Sequence, residues 1–443
     1  MQPIKFGTDG WRAIIADDYT VENVRRVAYA TALWIRQQGG TSAVVGHDCR
    51  FAGELFAQNT AQVLASQGIK VYLAKDFVST PMVSLGVVKH RAFLGVVITA
   101  SHNPPSYNGF KLKSQFGGPS IPRDIAAVEA LIPDQAPNLA LASLDALQAQ
   151  GLLEYVDLET LYLNEVYAKF DMPSILNSGF VMAYDAMYGT GQRIMQRILP
   201  AIGPYSLHCE HNPSFYGQAP EPIHRNLLPF SEFIKAHPEV QLGLANDGDA
   251  DRIGLYDDQG EFVDSHHILL LLIHYLHHYK GMKGKVVVTF SVTDKVRRLC
   301  EHYGLPIEVT KIGFKYIAEI MMHEIVLVGG EESGGIAAAG HIPERDGIWM
   351  GLIILEFMAK TGKSLRQLIQ EIYDIVGSFH FDRVDLHLSN SLKEQVIAAC
   401  RGGQIKAFGN YAVQRTEDLD GYKFYLSADE WVMIRPSGTE PVL

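Results

Sequence analysis

Apolar residues along this chain come in short runs of strand length, set apart by longer stretches in which apolar and polar positions repeat at helical spacing. Residues 44–45, 71–73 and 94–98 read as strands, and residues 21–37 and 54–67 as amphipathic helices. A second block repeats the pattern with "FVMAYDA" (180–186), a helix, "YSLHCE" (205–210) and "QLGLANDGDADR". A third holds "KVVVTF" (285–290), "IEVT" (307–310) and "EIVLVGGEESGG". Such alternation predicts α/β layers. An Ala-, Leu- and Gln-rich stretch at 133–150 reads as a surface connection. From about residue 379 the pattern changes to alternating strands with turn signals such as Asp420-Gly421, which predicts a small α+β domain ending in "DEWVMIRPSGTEP".

The strand that closes each block ends in a loop of unusual composition: TASHNP, NDGDADR, GGEESGG and RPSGTEP in turn. Open α/β sheets bind ligands at the carboxyl ends of their strands. The four loops are therefore expected to meet in one central cleft between domains.

Bulk properties narrow the classes of function. A length of 443 residues exceeds what one core serves and predicts three or four domains. A net charge of -11 argues against a nucleic-acid binder held by phosphate contacts, though not against a small anion in a locally basic pocket. Cys49, Cys209, Cys300 and Cys400 form no CxxC pair and read as reduced thiols. The start "MQPIKFGTDGW" has no signal-peptide core, and the longest apolar run, 268–273, is too short to cross a bilayer. A cytoplasmic protein with no membrane partner is the expectation.

Each loop suggests chemistry beside a plainer reading. In TASHNP, Ser101 is either a turn residue or a nucleophile or phosphate carrier. In "DGDADR", Asp247, Asp249 and Asp251 can turn their oxygens to one point and suit Mg²⁺; Arg252 stands where an EF-hand needs glycine. "RPSGTEP" offers the donors of a phosphate nest, or a polar hairpin tip. "GGEESGG" can bring carboxylates close to sugar-like hydroxyls, or can be a flexible turn. Arg12 in "GTDGWRA" and Lys315 in "KIGFKYI" are each weak signals alone. "YGTGQRI" lacks the third glycine of a dinucleotide-binding turn, having Ile194 there. "TGKS" lacks the upstream glycine of a P-loop and reads as a helix stop at Gly362 with an N-cap at Ser364. The histidines at 266, 267, 274, 277 and 278 flank an apolar helix and read as structural. No Gly-x-Ser-x-Gly surrounds Ser101, which counts against an ordinary serine hydrolase.

Taken in order, TASHNP, DGDADR, GEESGG and RPSGTEP, with "GTDGWR" near the start, resemble the signature loops of the α-D-phosphohexomutase superfamily, the phosphoglucomutases and phosphomannomutases. The resemblance implies an α/β protein: three similar mixed α/β domains plus a smaller C-terminal α+β domain around a central cleft, at 1–140, 141–255, 256–372 and 373–443. It implies that Ser101 carries a phosphoryl group to and from a hexose monophosphate through a bound 1,6-bisphosphate such as glucose 1,6-bisphosphate. It also implies Mg²⁺ on Ser101, Asp247, Asp249 and Asp251. Lys111 would be the general acid/base, provided burial or cationic neighbours lower its pKa, whereas Lys113 fits a solvated lysine. His102 and Arg12 would steady the phosphoserine and Arg252 the metal loop. Glu331 and Ser333 would hold sugar hydroxyls, with Lys315 also at the substrate, and Arg435, Ser437, Gly438 and Thr439 would grip the distal phosphate. Small hexose phosphates are the expected partners, glucose before mannose, because Glu332 stands where phosphoglucosamine mutases usually have Gln.

Three readings compete: a phosphoglucosamine mutase, a non-catalytic sugar-phosphate-binding relative, and a metal-dependent phosphatase that would not need Ser101. The chain departs from the family in ending at Leu443, where relatives continue through another strand, and in the extended "IAAAGHIPERDG" after GEESGG.

Overall fold

The strand Leu94–Ile98 is buried at all five positions because it runs inside a sheet covered on both faces. The structure is a computed structural model and describes residues 4–7, 9–386 and 388–436. In the first sheet Leu94–Ile98 lies between Ser42–His47, which is parallel to it, and Tyr107–Ser114, which is antiparallel. Trp11–Ile14 forms one edge; Lys70–Ala74 and then Leu153–Val156 extend the other. That last strand lies beyond the expected boundary at residue 140. The stretch leading to it is also more than a surface connection: it holds the helix Leu144–Ala149, capped by Ser143, with Leu147 buried.

The helix Val21–Gln37 matches its expected span, starting from the Thr20 side chain, which accepts from Asn23 N. The second sheet orders Phe262–Val263, Ile253–Tyr256, Val240–Asn246, Val181–Asp185 and Ser206–Leu207. Only two residues of "YSLHCE" are strand, because a 3-10 turn containing Pro204 precedes them. The third sheet orders Ile307–Thr310, Lys285–Thr289, Val326–Gly330 and Ile336–Ala338. "TGKS" is a helix stop and start, with Gly362 left-handed and Ser364 in a capping box with Gln367.

One apolar core runs through all three blocks, from Val44 and Val83 past Leu244 and Leu269 to Trp349 and Val376. The C-terminal unit has the helix Asn390–Arg401, a short hairpin, and a three-stranded sheet of Arg415–Glu417, Tyr422–Tyr425 and Trp431–Ile434. Gly421, at φ +97°, makes the tight turn expected at Asp420-Gly421. Among the described residues the four cysteines are free, and no helix is long and apolar enough to cross a membrane.

Candidate active site

Ser101 stands three residues past the end of the buried strand Leu94–Ile98 and takes a left-handed conformation, φ +53°, rare for a residue with a Cβ. The turn delivers its Oγ to Asp247, whose Oδ2 accepts at 2.7 Å. The second-block loop lies against the first: a Cβ on Gly248 would meet the Ser101 carbonyl at 2.6 Å, so only glycine permits this approach. Thr80 adds to the seam, its N–H donating to Asp249 O and its hydroxyl to Asp249 Oδ2 at 2.6 Å.

Asp247, Asp249 and Asp251 are fully buried, and each offers an oxygen within 4.8 Å of the others. Burial and the two neighbouring aspartates push the Asp247 carboxyl well above its ordinary value. Asp249 Oδ1 and Asp251 Oδ1 are buried without a hydrogen-bond partner. Three hard oxygen donors within reach of one point, two of the residues with an unpartnered oxygen, fit a hard divalent cation such as Mg²⁺.

Lys111 reaches this cluster from the strand Tyr107–Ser114, with Nζ 2.8 Å from Asp249, 3.1 Å from Asp251 and 2.9 Å from Asp9. Burial alone would depress its pKa, but Asp249, Asp251 and Asp9 outweigh burial and raise it. The lowering expected of a general base is therefore absent: Lys111 is held as the ammonium. Lys113 is no solvated lysine. Two residues further along the strand, it shares the face of Lys111 and is fully buried, 2.7 Å from Glu344.

His102 Nδ1 is 3.3 Å from Ser101 Oγ, and Nε2 is 3.4 Å from an Arg252 nitrogen. Burial first, then Arg252, Arg12 and Lys111, hold its pKa well below the usual imidazole value, so the ring is neutral at pH 7. Arg12 Nη1 donates to Asn103 Oδ1 at 2.5 Å, on the Ser101 loop. Arg252 donates its N–H to Asp247 Oδ1 at 3.0 Å, and its side chain lies 3.4 Å from Glu221.

The third loop joins the second directly: Arg252 and Gly335 form an antiparallel bridge, and Ile253 N donates to Gly334 O at 3.1 Å. Glu331 is buried and accepts from Gly313 N at 3.1 Å, which ties it to the turn before Lys315. Burial raises its carboxyl to about 7. Glu332 turns to other partners, accepting from Ser291 at 2.7 Å and facing Arg383 at 3.4 Å. Ser333 and Lys315 are half-buried, and Lys315 Nζ lies over the Tyr316 ring. Arg435 Nε is 3.4 Å from Asp420 Oδ1, while Asp420 Oδ2 accepts from Ile312 N at 2.8 Å. Arg435 is thereby linked through Asp420 to the turn that holds Glu331. Ser437, Gly438 and Thr439 lie outside the described residues.

The sequence reading missed three groups here. Asp9 binds Lys111 and Arg345; Arg345 also lies 2.8 Å from Asp251; and Arg50 grips the Ser101 loop. Arg345 and Glu344 come from the extended stretch after GEESGG, so that insertion helps build the site floor. Arg50 had a signal, since "GHDCR" closes an apolar strand run as TASHNP does; the structure sets the two strands, Ser42–His47 and Leu94–Ile98, parallel and adjacent.

Residues 3–138, 160–260 and 264–376 match the α/β/α domains I, II and III described for phosphoglucomutase/phosphomannomutase. A phosphoglucomutase/phosphomannomutase of Thermococcus kodakarensis is 27% identical over 443 residues, 99% of this chain and 93% of the relative. A Pyrococcus abyssi protein assigned as a phosphoglucosamine mutase is 29% identical, covering 99% of this chain and 92% of the relative. A Thermus thermophilus crystal structure assigned as a phosphomannomutase superposes with a TM-score of 0.85 at 34% identity, covering 98% of this chain and 93% of that one.

Proposed function

We propose that this chain, which belongs to the phosphoglucomutase/phosphomannomutase family of α-D-phosphohexomutases, interconverts hexose 1-phosphate and hexose 6-phosphate through a phosphorylated Ser101. Its reaction class is that of its relatives: a mutase, an isomerase acting by intramolecular phosphoryl transfer. The observation that supports the carrier role is Ser101 Oγ itself, turned by a left-handed backbone to within 2.7 Å of a buried aspartate cluster.

In this reading the sugar hydroxyl takes the phosphoryl group from Ser101, the Oγ–P bond breaking as the sugar O–P bond forms. The resulting 1,6-bisphosphate turns over, and Ser101 accepts the other phosphoryl group. Asp247, Asp249, Asp251 and the Ser101 oxygen would hold Mg²⁺, which supplies positive charge to the transferring phosphoryl oxygens. Lys111, kept protonated, is in the state to donate a proton to a sugar oxygen; to accept one it needs its three carboxylates neutralised. Neutral His102 lies 3.3 Å from the Ser101 oxygen, and the Arg12 and Arg252 guanidiniums would steady the phosphoryl group on it. Glu331 and Ser333 would accept from and donate to sugar hydroxyls, with Lys315 beside them. Arg435, Ser437, Gly438 and Thr439 would hold the phosphate that is not reacting.

Glucose 1-phosphate is the preferred substrate in this reading, and mannose 1-phosphate the second. The engagement of Glu332 with Ser291 and Arg383 supports this order, because that carboxylate is taken and does not await a sugar ammonium. Side-by-side kinetics on glucose, mannose and glucosamine 1-phosphates, with Mg²⁺ and a trace of glucose 1,6-bisphosphate, test the choice. The mannose compound should trail by the loss of one contact, about 1–3 kcal/mol. A clear preference for the glucosamine compound overturns the sugar while leaving the chemistry. The intact mass should include a population one phosphoryl group heavier, which Ser101→Ala lacks. Full turnover in that variant overturns the carrier.

A further inference from the structure

The left-handed turn at Ser101 has one backbone bond of its own, from Asn103 N to Ala100 O at 3.0 Å, which leaves the Ser101 carbonyl to partners outside the loop. Inside residues 101–107 the backbone makes few bonds of its own, such as Tyr107 N to Pro104 O. Four carbonyls of this segment converge instead on one side chain from a neighbouring strand end. Arg50 Nη2 donates to Ser101 O at 2.7 Å and to Asn103 O at 2.6 Å, and Nη1 to Pro104 O at 2.8 Å and Tyr107 O at 3.0 Å. Its Nε faces Asp48 Oδ2 at 3.2 Å, and the Phe215 ring of the second block lies 5.0 Å from the guanidinium carbon. Asp48 completes the frame. It accepts from Thr99 Oγ1 at 2.5 Å, and Thr99 Oγ1 accepts from Ser101 N at 2.8 Å. Both backbone polar groups of Ser101 are thus fixed by one buried Asp-Arg pair.

We infer that Arg50 is a positioning residue for phosphoryl transfer: its guanidinium sets the left-handed turn that aims Ser101 Oγ at the aspartate cluster. This rests on the reading of Ser101 as the phosphoryl carrier. Arg50 reaches no reacting atom; it acts through the Ser101 carbonyl, which is pinned between Nη2 on one side and the Gly248 backbone on the other. Four carbonyls and a carboxylate ask for a planar fork with five N–H donors. A lysine at 50 keeps the charge beside Asp48 but has three donors on a single point. Charge and geometry can therefore be separated by one substitution.

The test compares wild type, Arg50→Lys, Phe215→Leu and Ser101→Ala, all with Mg²⁺. It measures kcat, KM, thermal midpoint, and the rate at which glucose 1,6-bisphosphate loads phosphoryl onto the dephosphorylated protein by intact mass. Arg50→Lys should lose roughly 10–100-fold in kcat and in loading rate, with KM within about twofold of wild type, as expected when reacting atoms are misplaced. Phe215→Leu should shift both rates in the same direction and less. A purely structural Arg50 would instead lower the thermal midpoint and leave loading by the folded fraction unchanged, and that result overturns the inference. If Arg50→Lys does not fold, Phe215→Leu decides: a wild-type loading rate there overturns it, a slowed rate at unchanged KM supports it. Loading that survives in Ser101→Ala removes the carrier reading itself, a failure distinct from that of Arg50.

Discussion

The floor of the candidate site and its C-terminal grip are built by opposite means. Ser101, Lys111 and the three aspartates lie inside packing that three blocks share, and none is exposed by more than 1%. Arg435 and Asp420 have side chains 36% and 25% exposed, and their 3.4 Å contact is open to water. Among the described residues beyond Phe379 no apolar side chain joins the shared core cluster, and Phe381 touches only its edge, its ring 4.1 Å from that of His266. The C-terminal unit is held by a few polar contacts instead: Lys295 to Asp429 at 2.6 Å, Ile312 N to Asp420, and Lys423 between the Phe290 and Trp431 rings. A cavity of about 420 Å³, lined by Val288, Phe290, Ile307, Val309, Lys423 and Tyr425 among others, lies along this seam. The difference separates two demands. In-line transfer needs fixed geometry, which burial gives. A grip that must admit and release an intermediate in two orientations needs contacts that open cheaply.

The sharpest way to break this comparison is at the floor. Asp247→Asn keeps shape and the bond from Arg252 N but removes a charge that burial, Asp249 and Asp251 already oppose. Turnover should fall on the order of 10²-fold or more, because one of the carboxylates that would hold Mg²⁺, the source of positive charge for the transferring phosphoryl group, is lost. The thermal midpoint in chelator should hold or rise. Asp249→Asn should lower both, since Asp249 is the ion-pair partner of Lys111. Wild-type turnover in Asp247→Asn would remove the aspartates from the mechanism.

That contrast also marks what the sequence could reveal. Ser101 and the aspartates were legible because each group lies in a short loop at a strand end, where composition departs from the ordinary. Lys113 was misjudged because a single chain position does not say which face of a strand is covered, although its i+2 relation to Lys111 carried that information. Asp9 and Arg345 were missed for a different reason: they meet across 336 residues, and although Asp9 lies inside "GTDGWR", nothing in that stretch says which distant groups it faces. The sheet positions were close, and the strand Leu153–Val156 was missed because a parallel edge strand of four residues carries little pattern.

At the grip the expected effect is smaller and of another kind. Arg435→Ala removes a charged donor that is half in water, so KM should rise roughly 10–100-fold, in line with about 1.5–3 kcal/mol for a hydrogen bond to a charged group. The thermal midpoint should barely move, because an exposed contact at 3.4 Å contributes little to folding. Steady-state kinetics and calorimetry on the same preparation check both. A large drop in midpoint would show that the seam depends on Arg435 and would blur the distinction between floor and grip.

Glu331 gives the smallest effect and the finest test, for it belongs to the sugar-holding loop by place and to the floor by burial. Burial raises its carboxyl to about 7, against an ordinary 4.5; Arg345 opposes the rise and Glu332 adds to it. A folded-state pKa above the unfolded one means that the folded chain binds the extra proton in between. Its contribution to stability is therefore fully present below about pH 4.5 and is lost as pH rises through about 7. In chelator, the wild-type midpoint should fall relative to that of Glu331→Gln as pH goes from 5 to 7.5, and the two curves should run parallel above that. Parallel curves for Glu331→Gln and wild type across the whole window would mean that water reaches this carboxylate in solution, and Glu331 would then belong with the grip.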